Sequence, residues 1–545
     1  MCLLLLFGSQ PASAAAVHQL RTVVAAADGL MVAGRPLRAG DDLKRFYTAR
    51  SYQAAWLAAG APRKAAYELL DVIEAVAEDG LRPADYHLDT LKWLLSQTLN
   101  SRDGYINLEL ELLLTDAFLA LANDSAYGRA ALHEPDWAVT LPKQDLPALL
   151  QRSLREERSA SAIESLLPAH SAYLGLRDAR RRLLAVAADG WPELPAGPVL
   201  RRGMSEPRVP ILRERLRLSG DLPGNAVTDS QSFDAPLKEA VRRFQRRHGL
   251  QVDGRVGEQT RAALNVGVGQ RLAQIELNME RWRRLPRDLG ERHIMVNIAD
   301  YSLEVVENGE VVQRQRVIVG QDARRTPVMS SRIGYLVFNP SWEIPTSIMV
   351  EDMLPQVRAN PAFFERNRID VLQGWRQERR IDPAAVDWEQ VPTNPFPYRF
   401  RQAPGPYNSL GQVKFMFPNQ RSIYLHDTPD RRLFERDRRA YSSGCVRVER
   451  PLELANYLIG EGGSLDRQGV LDVLVDGEER NVHLAQTVPV HLLYLTAWVD
   501  NAGVLHFRDD VYRKDTELLL VMHGMQDLPV QISSGEGMRD SADLI

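Results

Sequence analysis

The chain has 545 residues, 44% apolar and 25% charged, with a formal net charge of −4. That length exceeds one ordinary core and predicts about two to four domains of soluble, globular composition. The charge balance gives no electrostatic reason for a nucleic-acid partner, eleven histidines without a His-x-x-x-His pair and two cysteines without a cluster predict no metal or other cofactor, and no apolar run of about 18 residues predicts an integral membrane segment.

Met1 to Phe7 is a short apolar run followed by Pro11-Ala12-Ser13-Ala14. The small-x-small ending reads as a signal-peptidase site after Ala14, in a signal segment (1–14) whose start is truncated; a chance apolar start is the alternative. Cleavage would remove Cys2 and leave Cys445 as the one thiol of a periplasmic chain.

From Leu37 to about residue 200 the pattern is helical. Phe46, Tyr47, Tyr52, Trp56 and Leu57 recur at helix-like spacing, Tyr67 to Val76 is amphipathic, and Asp79-Gly80-Leu81-Arg82-Pro83 carries a helix stop. Leu108 to Leu121 is apolar nearly all round and predicts a buried helix. Asp85, Tyr86, Asp116, Asp124 and Tyr127 fit cap and core roles better than chemistry. The arginine groups at Arg180 to Arg182, Arg242-Arg243 and Arg246-Arg247 have acidic neighbours and predict solvated helix faces.

Residues 205–266 form a small unit. Val209 to Leu218, Ala235 to His248 and Glu258 to Leu264 are three helices, with the glycine-punctuated loop Gly249 to Gly257 before the last. A further helix, about Arg271 to Leu285, leads into a β-rich region at 290–512. There Asn308-Gly309 joins Tyr301 to Val306 with Val311 to Val319, a strong hairpin signal. Leu336 to Asn339, Trp342 to Ile344, Val413 to Phe417, Ile423 to His426, Val470 to Val475 and Val488 to Val499 predict further strands. The stretch of about 346–411 interrupts them, with helices at Met349 to Val357 and Ala362 to Asn367 and otherwise Pro, Asn and Gly without period; such an interruption is usually functional or disordered. After Arg513 a helix-prone, polar tail (513–545) is expected to fray. The fold class is therefore α+β and multidomain.

The chemistry concentrates in Tyr424-Leu425-His426-Asp427-Thr428 and Ser442-Ser443-Gly444-Cys445-Val446-Arg447. A thiolate is the nucleophilic form of cysteine, and a nearby histidine and cationic surroundings favour it. Glycine before the cysteine permits a tight turn that aims amides at an oxyanion. A buried, inert Cys445 and a structural His426 are the plain alternative; the small, polar neighbours and Arg447 argue against it. Cys445 is expected to begin a helix running through Pro451 to Ile459, whose dipole would favour the thiolate. The loop Asp430 to Arg439 holds five arginines, mostly as exposed ion pairs, anchored by Leu433 and Phe434.

With His426, Ser443, Gly444, Cys445 and Arg447 in this order, the region resembles the YkuD-type L,D-transpeptidases, and the longer runs Tyr424 to Pro429 and Ala440 to Glu449 resemble the large multidomain YcbB-like branch. The family often has a second histidine before Gly-Cys; Ser443 stands there, which leaves His426 as the nearby base. Residues 37–200 resemble the helical scaffold of that branch, and Phe244-Gln245, Gly249-Leu250, Asp253-Gly254, Gly257, Thr260 and Leu264 resemble a three-helix peptidoglycan-binding module, with glycan binding or mere packing both open. The resemblance implies a mainly β catalytic domain with a lid at 346–411. It also implies acyl transfer: His426 deprotonates Cys445, the thiolate attacks a peptidoglycan stem peptide, backbone amides around Ser443 and Gly444 hold the oxyanion, D-alanine leaves, and an amine resolves the thioester into a 3-3 cross-link. Arg447 would hold a substrate carboxylate or brace the loop, Tyr424 would reach the pocket, and Trp342 is a candidate for stacking or for the core. The group orienting His426 is open among Asp427, Ser442, Ser443 and a backbone carbonyl. Implied besides are a role in wall biogenesis and cell shape, other wall-building enzymes as partners, and carbapenem acylation of Cys445. L,D-carboxypeptidase activity at the same site and a non-catalytic wall-binding protein are the rivals. Papain-like and NlpC-type peptidases place Cys before His, the reverse of this chain.

Overall fold

Separate apolar patterns along the chain become separate cores, and the way those cores are joined positions the cysteine. The computed structural model describes residues 14–26, 31–98, 104–129, 137–224, 230–360, 362–460, 465 and 467–522. Residues 1–13 of the expected signal segment, Cys2 included, and 523–545 of the expected tail lie outside these; the tail's beginning is the helix Lys514–Met522. Among the described residues no helix is long and apolar enough to cross a membrane.

The all-round apolar stretch forms the helix Gly104–Tyr127, and Leu110 through Ala122 is buried. Gly40–Ala49, Lys64–Ala75, Leu88–Thr98 and Leu146–Glu156 pack around it. Three acidic side chains on this buried helix are satisfied by neighbouring loops, which is the condition for burying them at all. Glu111 accepts from the Ala55 and Trp56 amides and the Tyr47 hydroxyl. Asp116 accepts from the Arg38 and Ala39 amides, both at 2.8 Å, and bonds His87 Nε2. Asp124 pairs with Arg38 and accepts from the Tyr86 hydroxyl. Asp116 and Asp124 are thus core anchors.

The small unit has the three expected helices, Val209–Leu218, Ala235–Arg247 and Glu258–Leu264, around Leu212, Leu237, Val241 and Phe244. Gln245 ties its glycine loop together, donating to Asp253 Oδ1 and the Arg255 carbonyl at 2.8 Å each and accepting from the Gly254 amide. One expectation fails here. Arg247 is not on a solvated face but buried against Asp221, to which its Nε donates at 2.7 Å.

The helix Val268–Arg283 packs against Ser171–Ala187 and leads into the β region. Among the described residues eight strands form its closed path, with Ala440–Ser442 pairing alongside β3: β1 Arg292–Asn297, β2 Ser302–Glu307, β3 Glu310–Gly320, β4 Val328–Phe338, β5 Val413–Met416, β6 Leu425–His426, β7 Val446–Val448 and β8 Arg480–Leu493. Their order is β5-β6-β7-β3-β2-β1-β8-β4, and β4 pairs back with β5, so the sheet closes on itself. The β2–β3 turn is Asn308-Gly309 with φ of +52° and +83°, as the hairpin signal predicts. Closure removes edges that would otherwise expose unpaired backbone. Apolar residues of all these strands, with Leu454 and Leu458 of the helix Pro451–Ile459, share one core. The scaffold enters this sheet too: Trp137–Ala138 pairs parallel with Val328 and Met329.

Three readings of the β region need correction. Val470 to Val475 is not a strand but lies in the helix Arg467–Asp476, where Val470 and Val473, three apart, face the core. β8 begins at Arg480 and ends at Leu493; an irregularity between His483 and Val488 breaks the alternation that would have revealed it. The chain from Ala497 to Val499 pairs instead with Leu505–Phe507. Finally, the interruption between β4 and β5 contains a sheet of its own, in the order Trp342–Glu343, Arg399–Gln402, Ile369–Gln373, Arg379–Ile381, over a core with Phe364, Trp388 and Phe400. These strands are two to five residues long, too short for a period to show. The insertion therefore starts at Trp342, ahead of 346.

Glu111→Ala leaves the buried Ala55 and Trp56 amides without an acceptor, while the Tyr47 hydroxyl keeps the Glu111 carbonyl and Thr115. The substitution is expected to lower the stability of the helical region by about 3 kcal/mol in a urea titration, and Glu111→Gln by less.

Candidate active site

Three neighbouring strands set the site. Lys414 of β5 lies opposite His426 of β6, and His426 lies beside Arg447 of β7. Because side chains alternate along a strand, the register that sends Leu425 and Val446 into the core puts Lys414, His426 and Arg447 abreast on the other face. Tyr424, two residues before His426, shares that face; the two rings meet edge to face at 5.6 Å. The Lys414 ammonium lies 5.2 Å from the centre of the Tyr424 ring.

Cys445 sits immediately before β7, not at the start of a helix; the helix begins only at Pro451. Val446 and Val448 fill the core in strand conformation, which holds the chain extended after the cysteine. No helix dipole therefore acts on the thiol. The turn before it is braced from two sides. Gly444 adopts φ +114°, a region that strains any side chain. The Thr326 hydroxyl donates to the Gly444 carbonyl at 2.7 Å and accepts from the Gly320 amide at 2.8 Å. The Ser442 hydroxyl donates to the Cys445 carbonyl and accepts from the Gly444 amide at 3.2 Å. The Gly444 N–H is thus engaged by Ser442 and does not face a substrate oxygen. The Ser443 side chain is on the outside, where its hydroxyl accepts from Arg324 Nη1 at 3.0 Å.

His426 is buried, and its Nδ1 lies on the Asp427 carbonyl oxygen. A carbonyl only accepts, so Nδ1 carries the proton and Nε2 is the free base. Of the orienting groups left open by the sequence, a backbone carbonyl does the work. The Asp427 carboxylate fixes that carbonyl's segment, accepting from the Gln412 amide at 2.8 Å and the Thr428 amide at 2.6 Å and pairing with Arg431. Gly411, at φ +61°, lies so close that a methyl group there would run into this carboxylate.

Burial pushes the Cys445 thiol up to about 11, against the pull of Tyr424, Lys414 and Arg447. Burial, then Arg447 and Lys414, push His426 down to about 3, against the Asp427 carbonyl. The resting pair is therefore neutral thiol and neutral imidazole. Consistent with this, the half-buried thiol donates weakly to the Ser422 carbonyl at 3.7 Å rather than to His426. The Tyr424 hydroxyl faces both the thiol and the Trp342 indole, and burial, then Cys445, raise its pKa. Arg447 is largely buried, its Nε has no hydrogen-bond partner, and burial lowers its pKa against the attraction of Asp430 and Cys445.

Of the residues that the sequence singles out, Tyr424, His426, Cys445 and Arg447 share one face of the sheet and Trp342 reaches Tyr424 from the rim of the insertion, whereas Ser443 points outside and the Gly444 N–H is taken by Ser442. The Trp342 N–H is buried without a partner of good geometry although it faces the Tyr424 hydroxyl. Sequence reasoning missed Lys414, Thr326, Ser442 as a brace, and Arg324. Lys414 had a signal, a lysine in the middle of a predicted strand. Arg324 had none: it joins the Ser443 loop to the insertion by pairing with Glu351 at 2.6 Å and with Asp352.

Residues 291–470 match the family model described as "L,D-transpeptidase catalytic domain", YkuD. The chain carries an L,D-transpeptidase catalytic domain of the YkuD family. Residues 205–264 match "Putative peptidoglycan binding domain" and residues 41–179 match "Scaffold domain". A Haemophilus influenzae protein named "Putative L,D-transpeptidase" is 40% identical over 247 residues, 45% of this chain and 49% of that protein. The chain thus matches about half the length of this curated relative. Solved L,D-transpeptidases from Stackebrandtia nassauensis (13% identical, 55% of this chain and 96% of that one, TM-score 0.22) and Xylanimonas cellulosilytica (17%, 55% and 100%, TM-score 0.17) are also similar. His426 and Cys445 both lie within the matched L,D-transpeptidase domain.

Two outcomes test the site. Since the thiol's pKa is raised, the thiolate fraction and the rate of iodoacetamide alkylation at Cys445 should climb with pH by about tenfold per unit from 7 to 10. A plateau below pH 8 would instead reveal a thiolate–imidazolium pair. Gly411→Ala should displace the Asp427 segment and with it His426, lowering the acylation rate by about 100-fold while circular dichroism stays unchanged.

Proposed function

We propose that the protein is an L,D-transpeptidase that joins peptidoglycan stem peptides by 3-3 cross-links through a thioester on Cys445. The observation that carries this reading is a half-buried thiol at the start of the strand next to that of a buried histidine whose Nδ1 is fixed by a backbone carbonyl, in a segment that matches a YkuD catalytic domain.

The thiol turns from the Ser422 carbonyl toward His426 Nε2, which takes its proton as sulfur attacks the carbonyl of the L,D bond in a stem tetrapeptide. Proton transfer coincides with attack because neither group is charged at rest. Lys414 and Arg447 then favour the sulfur and oxygen anions formed. With the Gly444 N–H engaged, the Cys445 amide, aided by the Tyr424 hydroxyl, is the donor for the oxyanion. Collapse breaks the C–N bond, and His426 returns the proton to the departing D-alanine amine. The side-chain amine of a second stem peptide attacks the thioester, His426 takes its proton, and the thiolate leaves to be reprotonated. Arg447 binds a substrate carboxylate through its unpartnered edge, and Trp342 stacks on the stem.

The insertion acts as a lid latched by Arg324. Keeping water from the thioester favours transfer over hydrolysis. Domains directed at peptidoglycan support a site of action outside the cytoplasm, read here as the periplasm, among other wall-building enzymes.

Purified protein incubated with disaccharide tetrapeptide should yield a 3-3 linked dimer with loss of one D-alanine by mass spectrometry, absent with Cys445→Ala. Tripeptide alone would assign an L,D-carboxypeptidase, and no turnover a wall-binding protein. A carbapenem should add its mass at Cys445. Arg324→Ala should shift the products from dimer toward tripeptide; an unchanged ratio would remove the latch from the reading.

A further inference from the structure

A cavity of about 680 Å³ opens far along the chain from the cysteine, and no active-site side chain lines it. Its walls come from three parts of the chain: the helix Ser171–Ala187 with Trp191, the helices Val209–Leu218 and Ala235–Arg247 of the small module, and the hairpin that ends in Leu505–Phe507. Cavities of this size at domain junctions are the usual place for small-molecule ligands.

Its charge is one-sided. Arg182, Arg215, Arg243, Arg246, Arg247 and Arg271 line it, against the carboxylates of Asp221 and Asp500. Both carboxylates are already used. Both oxygens of Asp221 take the Nε–Nη2 edge of Arg247, and Asp500 pairs with His506 at 2.8 Å. Arg215 is 1% exposed and Arg271 7%. Neither has a carboxylate within ion-pair distance among the described residues. Arg215 Nε donates to the Leu264 carbonyl at 2.7 Å, and its guanidinium lies 3.6 Å from the centre of the Trp191 ring. Its Nη1 is buried with no partner. Arg271 donates to Gln274 and to the Ala263 carbonyl and lies 4.5 Å from the centre of the Phe507 ring, and its Nε is likewise buried and unpartnered. Carbonyl oxygens, aromatic faces and the more distant carboxylates of Asp221 (for Arg215) and Asp509 (for Arg271) offset part of the cost, but two buried guanidinium charges with no carboxylate in direct contact remain disfavoured. Their mutual repulsion shows in the electrostatics: burial, Arg247 and Arg271 push Arg215 down to about 9. An arginine meets such a situation by gaining an anion rather than by losing its proton. His248, buried in the same wall, is held neutral by burial and by these arginines.

We propose that this cavity is a second ligand site, which takes an anionic molecule whose carboxylate or phosphate lies between Arg215 and Arg271, with Arg182, Arg243 and Arg246 at the mouth. The volume admits more than a bare ion; a sugar or short peptide bearing the anion fits it. Since all three parts of the chain line the cavity, the ligand holds the small module against the hairpin and the scaffold. The site rests on its own geometry and stands whether or not Cys445 carries out transpeptidation.

Hydrogen–deuterium exchange on the full chain separates this site from the active site by location, without reading turnover. The probes are inorganic phosphate, disaccharide tripeptide, and the same muropeptide with every carboxyl amidated. Slower exchange in 215–221 and 500–507 with the carboxylate muropeptide but not its amide assigns a carboxylate ligand; slowing with phosphate alone assigns a phosphate-bearing one. In either case the double variant Arg182→Glu, Arg246→Glu, both exposed and so tolerated by the fold, should weaken the effect about tenfold in apparent affinity. Arg215→Gln, checked by its melting curve, should abolish it. No protection of these segments by any probe at millimolar concentration, or protection that both variants leave intact, overturns the proposal.

Discussion

A slip of one residue between Leu425–His426 and either neighbour would turn His426 into the core and Leu425 out to the site. The register across β5, β6 and β7 is therefore the constraint on which the chemistry depends. It is held by burial of Phe415, Leu425 and Val446 on one face and by closure of the sheet through β4 and β5. Everything reactive hangs from that closure: Lys414 and Arg447 flank the imidazole because their strands do, and Cys445 is delivered by the bend that feeds β7.

The cations so placed have a double effect. They lower the cost of a sulfur anion, and they also suppress a charged imidazole next to it. Together with desolvation the second effect wins at rest, so Cys445 stands as a neutral thiol. Under the proposed acyl transfer, such a site is arranged for the charge that appears during the reaction rather than for one that exists before it. Ser442 and Thr326 add rigidity by fixing the turn before Cys445.

Much of this was legible in the residues. His426, Cys445 and Arg447 stand out by type and spacing, Asn308-Gly309 declares its hairpin, and the buried helix of the scaffold announces itself by having no polar stripe. What stayed hidden depends on distant partners or short elements. The insertion's strands are too brief and too rich in arginine to alternate visibly. The segment at Val470 has the valines of a strand and the spacing of a helix, and only packing decides. Cys445 beside a later Pro451 suggested a helix start, yet the two valines between them fill a strand's core positions. Arg215 and Arg271 look like any surface arginine until Trp191 and Phe507 arrive from elsewhere in the chain to cover them. The orienting partner of His426 could not be read because it is a main-chain oxygen, which every residue possesses.

The short pairing of Trp137–Ala138 with Val328 and Met329 means that the family-matched segment is not a self-sufficient body. Val328 and Met329 are almost fully buried, and the scaffold's strand is what covers their outer backbone. A catalytic fragment cut out at the apparent domain border would present that backbone as a raw, apolar strand edge, an adhesive surface for other chains. The helical region is thus a cover for this seam as well as a separate domain, and the two would have to be inherited, truncated or transplanted together.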